Sequence, residues 1–151
     1  DWSSDVCSSD LNVYIMEYNE HNLKLVSEAI LRNLSTDLLP KSWVDKNGRN
    51  IMFGHCHNSA GCLYKIFGPK NVTMYRGFDG EIYHWWVQDK EGKIIDLTSD
   101  QYYSKNRIPP YDKAEKAGML GFGYKQRVNK LYERVIIDLN GEKLGLLKHY
   151  E

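Results

Sequence analysis

The stretch EIYHWWVQDKEGKIIDLT, residues 81–98, decides how the chain is read. Its first half, 82–88, is aromatic, β-branched or polar, which favours an extended backbone. Glu91-Gly92 supplies a turn, with Gly free to take a positive φ. Residues 93–97 read as the return strand. Side chains alternate faces along a strand, so His84, Trp86 and Gln88 share one face, and Ile94, Asp96 and Thr98 share one face of the partner. Trp85 and Trp86 point to opposite sides, one toward a core and the other toward a cleft wall. An imidazole and a carboxylate on adjacent antiparallel strands sit side by side, and the carboxylate orients the ring and raises its basicity.

Working outward, the segment before this hairpin offers a nucleophile. Residues 56–67 place Cys56, Ser59, Ala60, Leu63 and Phe67 on one helical face, and Gly68-Pro69 ends the helix. Cys56 then stands at a helix start. A thiol attacks as its thiolate, which the free N–H groups and dipole of a helix N-terminus favour. The same N–H groups stabilise an oxyanion. Cys56, His84 and Asp96 therefore form a candidate nucleophile, base and orienting carboxylate. Cys62 lies on another face of the helix and reads as structural, the usual fate of a free cysteine.

The rest of the chain supplies scaffold. Leu23, Val26, Ile30 and Leu34 recur at helical spacing over 19–34, with Asn19 or Asn22 as the cap. Residues 43–50, WVDKNGRN, read as a polar loop. A short strand is expected over 71–76 and a turn over 77–80. Residues 99–111 read as irregular, and 113–123 as Gly-rich loop. A last helix over 125–139 carries the apolar stripe Val128, Leu131, Tyr132, Val135 and Leu139; its basic residues read as a solvated face. The fold class expected is α+β, a helix bearing Cys56 packed on a short antiparallel sheet.

Residues 1–11, DWSSDVCSSDL, are rich in Ser and Asp, lack any apolar period and resemble the translation of a sequencing adapter. They are expected to be a disordered, non-native segment, with 12–151 as one catalytic-type domain, long enough for a single core. Without Asp1, Asp5 and Asp10 the bases exceed the acids by three, too small a surplus to argue for nucleic acid. No apolar run approaches the roughly 20 residues of a membrane span. Cys56 and Cys62 alone make no disulfide framework, and a reduced, cytoplasmic protein is expected. His55, Cys56, His57 and Cys62 are soft or borderline metal ligands, but they lack the second closely spaced pair of a zinc site. Neither metal nor cofactor is expected.

Gly54-His55-Cys56-His57 resembles the G-x-C-W motif of transglutaminase-like proteins, within the papain-like cysteine superfamily; His57 stands at the aromatic position. His84-Trp85-Trp86-Val87 resembles their H-x-W-V strand, and Asp96-Leu97-Thr98 their closing D-x-T. The order Cys, His, Asp also agrees, and the likeness covers about a third of the chain, 51–101. Residues 54–101 further resemble phage-encoded proteins carrying GHC…HWW…D-x-T-x-x-Q, which would imply the cytoplasm of a bacterial host. The resemblance implies a papain/transglutaminase-like core. It also implies a cysteine-dependent hydrolase or acyltransferase acting on an amide, isopeptide or thioester of a peptide, protein or small amide. His55, His57, Trp43, Trp86 and Gln101 are the candidate substrate-binding residues. The alternative is a non-enzymatic, phage-type binding or inhibitor protein of the same fold.

Overall fold

The computed structural model describes residues 16–47 and 54–149. Expectations for residues 1–11 and 48–50 lie outside the described residues. The described chain is α+β, with five α-helices around a four-stranded antiparallel sheet of order β3-β2-β1-β4. No described helix is long and apolar enough to cross a membrane.

Helix α1, Glu20–Arg32, starts after Asn19, which is itself extended and whose side chain accepts the Asn22 N–H at 2.8 Å. Val26, Ala29 and Ile30 form its buried stripe. A 3-10 turn, Thr36–Leu38, leads to α2, Lys41–Asn47. This corrects the polar loop expected from residue 43. The Pro40 carbonyl accepts the Trp43 N–H at 2.9 Å and opens a helical turn. Proline is tolerated there because an N–H at a helix start has no partner to lose.

Helix α3, Cys56–Phe67, runs as expected and stops at Gly68. Gly54, at φ +85°, turns the chain into it. Gly61 lets α3 approach the last helix closely; a Cβ there would lie 2.7 Å from a Val128 methyl. That last helix, α5, spans Phe122–His149 and so extends beyond both ends of the expected 125–139. It buries Val128, Leu131, Val135, Ile136 and Leu139. Burying each such side chain contributes roughly 1.5–3 kcal/mol. Its basic residues are not simply solvated: Arg134 and Lys130 both pair with Asp37. Arg32 and Asn33 hold Asp138, tying α1 to α5.

Strand β1, Val72–Phe78, pairs with β2, Tyr83–Asp89, from Val72↔Asp89 to Phe78↔Tyr83. β1 continues through Gly77, where a turn is expected from sequence. A Cβ on Gly77 would lie 2.4 Å from the Pro110 carbonyl oxygen, so this glycine serves close approach within a strand. The Asp79 side chain closes the β1–β2 loop by accepting the Glu81 and Ile82 N–H groups. Asp89 does the same for Glu91 and Lys93 before β3, with Gly92 at φ +83°.

Strand β3 is only Ile94–Ile95, shorter than the expected 93–97. Asp96 diverts the chain, because its side chain accepts the Thr98 N–H at 3.2 Å. A short helix α4, Asp100–Tyr103, and a 3-10 turn, Tyr111–Lys113, follow where sequence reads as irregular. β4, Glu115–Lys116, pairs with Tyr75 and Arg76 on the far edge. Trp85, Val87, Val72 and Met74 join the core formed with α1, α3 and α5. His84 and Trp86 alternate to the other side, under Tyr102, Pro110 and Tyr111.

Candidate functional site

Cys56 opens α3, His84 lies near the start of β2, and Asp96 stands one residue past β3. The fold brings all three together. His84 Nε2 is 2.6 Å from Asp96 Oδ2, with both side chains almost wholly closed to solvent. Cys56 hydrogen-bonds the same ring. Burial works against a charged imidazole, but the Asp96 and Cys56 hydrogen bonds and both charges outweigh it, raising the His84 pKa to about 9.

Asp96 is held on every side. Tyr111 Oη donates to its Oδ2 at 2.7 Å, and Thr98 N–H and Oγ1 reach Oδ1 at 3.2 and 3.5 Å. Burial, then the Asp96 hydrogen bond, pushes the Tyr111 phenol well above its usual range and keeps it a donor. Tyr102 stacks edge-on against His84 with centroids 4.8 Å apart, while its hydroxyl donates to Asp79 at 2.6 Å. Sequence reasoning missed both tyrosines. The one signal for Tyr111 is Pro109-Pro110, which stiffens the backbone just before it.

Gln101 joins the three elements. Its Nε2 lies 2.8 Å from His84 Nδ1, its Oε1 accepts the Gly54 N–H at 3.3 Å, and Nε2 also reaches Thr98 Oγ1 at 3.4 Å. Two influences oppose one another at Nδ1. The amide NH₂ favours a neutral ring with a lone pair there; Asp96 and Cys56 favour the imidazolium. A full carboxylate charge at 2.6 Å outweighs an amide dipole. The Gly54 N–H and Thr98 Oγ1 bonds hold the amide in this orientation, so it opposes the proton on Nδ1.

Cys56 opens onto a cleft of about 250 Å³. Trp43, His57, Tyr83, Trp85, Gln101 and Tyr124 stand in its walls. Of the expected substrate contacts, His57, Trp43 and Gln101 are therefore beside the thiol. His55 and Trp86 are not in the cleft wall. His55 is fully buried beside Asn58, whose amide meets its Nδ1 at 3.2 Å. Trp86 backs the His84 ring at 5.9 Å and meets Tyr111 edge-on.

The two flanking histidines are neutral. Burial, partly offset by Asp37, lowers the His55 pKa to about 4; burial, then the Arg127 charge, lowers His57 to about 4. Cys62 is fully buried, and burial pushes its thiol well up. Among the described residues no three His, Cys, Asp or Glu side chains gather to hold a metal ion.

The arrangement places a thiol, an imidazole and a carboxylate in one hydrogen-bonded line beside an aromatic cleft. No family model matches the chain, and no curated protein or solved structure matches it.

Proposed function

We propose that this protein is a cysteine-dependent hydrolase or acyltransferase with a papain/transglutaminase-like core, acting on an amide, isopeptide or thioester carbonyl. The observation that carries this reading is His84, hydrogen-bonded to Cys56 and held by Asp96 at 2.6 Å beside an open cleft. Asp96 fills Nε2, so the thiol exchanges its proton at Nδ1, where it competes with the Gln101 amide.

In the proposed reaction His84 is already an imidazolium, its pKa raised to about 9, and Cys56 attacks as the thiolate paired with it. A sulfur lone pair forms the C–S bond while the carbonyl π pair moves onto oxygen. The oxyanion then collapses, the bond to the leaving nitrogen or sulfur breaks with its pair, and His84 returns the proton to that atom. Water or an acceptor amine attacks the thioester left on Cys56, gives its proton to His84, and the sulfur departs with its bonding pair.

A second reading, a non-enzymatic binding protein, is favoured by one feature. The Gln101 NH₂ group sits on the nitrogen that a base needs. Alkylation separates the two. Iodoacetamide at neutral pH labels Cys56 faster than the buried Cys62, and p-nitrophenyl acetate gives a burst of p-nitrophenolate that Cys56→Ala abolishes. Slow, equal labelling and no burst would favour the binding protein.

A further inference from the structure

His57 follows the nucleophile in α3 and lies in the wall of the same cleft, with only 5% of its surface exposed. The Leu120 N–H donates to its Nε2 at 3.0 Å. A neutral imidazole carries one proton, so an Nε2 that accepts leaves that proton on Nδ1. Burial and the Arg127 charge keep the ring neutral at ordinary pH. Trp85 and Tyr124 meet it edge-on at 4.8 and 5.2 Å and fix its plane. His57 Nδ1 is nonetheless a buried polar atom with no hydrogen-bond partner among the described residues. Every part of this ring is held in place except the one donor that none of the described residues uses.

A buried donor without a partner calls for a physical explanation. Its neighbour supplies one. The N-cap residue of α3, His55, makes no side-chain capping bond to the first turn that Cys56 opens. A carbonyl attacked by the sulfur develops negative charge on its oxygen and needs hydrogen-bond donors there, and Cys56 and His57 line the same cleft. We infer that the Nδ1–H of His57 is the side-chain donor that binds the carbonyl oxygen of the substrate and stabilises the oxyanion formed when Cys56 attacks. The inference rests on the proposed acyl chemistry and adds a catalytic residue to it. It also narrows the substrate. The acceptor must be an oxygen lone pair rather than an N–H or a cation, on a group flat enough to enter between Trp43, Tyr83 and Tyr124.

Two variants split the ring into its two nitrogens. His57→Gln places an amide oxygen near the old Nε2 position, keeping the acceptor for Leu120 and losing the δ donor. His57→Asn places an amide nitrogen near the old Nδ1 position, keeping that donor and losing the Leu120 link. Two probes then separate oxyanion stabilisation from thiol reactivity. Acylation by p-nitrophenyl acetate passes through an oxyanion; alkylation by iodoacetamide does not.

The expected result is that His57→Gln slows the acylation burst by roughly 10²–10³-fold, the usual loss for one oxyanion donor. His57→Asn retains most of the burst, and alkylation of Cys56 stays near the wild-type rate in both. A wild-type burst undiminished in His57→Gln overturns the inference and leaves the proposed function standing. So does a parallel fall of acylation and alkylation in both variants, which marks a structural role. No burst from the wild-type protein overturns the acyl chemistry and the inference with it. Should neither variant fold, the wild-type protein decides. Phenylacetaldehyde, which adds the Cys56 sulfur to its carbonyl carbon, moves the His57 Nδ1–H proton resonance downfield if the donor binds that oxygen. An unmoved resonance in the adduct overturns the inference.

Discussion

Asp96 Oδ2 receives two hydrogen bonds, from His84 Nε2 at 2.6 Å and from Tyr111 Oη at 2.7 Å, although Asp96 has already left its strand. The carboxylate is thus oriented by a residue beyond the hairpin, and the hairpin carries the histidine that it serves.

Asp96→Asn therefore tests orientation apart from folding. The amide retains an acceptor for Tyr111 or Thr98 and a donor that selects the wrong tautomer of His84. In serine triads this change costs about 10⁴ in kcat. A smaller loss is expected here, because a cysteine nucleophile also works as an ion pair with an already protonated imidazole. Asp96→Asn should fold and keep part of the p-nitrophenyl acetate turnover; Cys56→Ala should fold and keep none. Turnover by Cys56→Ala would remove the nucleophile, and unfolding of both variants would make these residues structural.

Stability should peak near pH 6.5. His84 rises from 6.5 unfolded to about 9 folded, so its contribution is complete below about pH 6.5 and is lost as pH rises through 9. The sum is on the order of 3 kcal/mol. His55 and His57 fall to about 4, so theirs is complete above about 6.5 and is lost as pH falls through 4. Two histidines act on the acid side, and Asp37, Asp79 and Asp138, all lowered, add to it below pH 4. Melting temperatures from pH 4 to 9.5 should form a dome, steeper on the acid side. A steady rise to pH 9 would show that His84 gains nothing from Asp96.

Gln101→Met removes the amide donor from His84 Nδ1 without changing side-chain length much. The imidazolium then forms unopposed, and alkylation of Cys56 at pH 7 should rise severalfold. Loss of the Gly54 hydrogen bond should cost about 1 kcal/mol in a denaturant melt. An unchanged or slower alkylation would mean that the amide does not restrain the base.

Gly77→Ala should destabilise by roughly 1–3 kcal/mol, the usual cost of overpacking. The new methyl meets the Pro110 carbonyl on a strand residue paired with His84. Moving Pro110 moves Tyr111 away from Asp96, so the burst rate should fall too. Gly118→Ala, which meets open space, should change neither and serves as the control.

The hairpin and its two candidate site residues were legible because they are local. His84 and Asp96 are twelve positions apart across one tight turn, and residue alternation with a Gly at φ > 0 is written in the chain. The same holds for α3, whose apolar face and Gly68 stop are sequence features. Helix α2 was not legible, because an Asn-Gly signal downstream outweighed the quiet evidence of Pro40. β4 was not legible either: two exposed residues gain strand geometry only from the edge of β1.

By itself the sequence determined that a thiol, an imidazole and a carboxylate occur in that order, on a helix start and along a hairpin, although it read Asp96 inside a strand that ends at Ile95. Short-range backbone preferences suffice for that. Only the tertiary structure decided that Gln101 sits on Nδ1, that Tyr111 holds Asp96, and that Trp86 and His55 stand outside the cleft. It also decided where the proton of His57 lies, through Leu120, sixty-three positions away. Those outcomes depend on hydrogen bonds closed across long loops. Their partners are chosen by how α3, the sheet and the segment before α5 pack, and no local pattern records that choice.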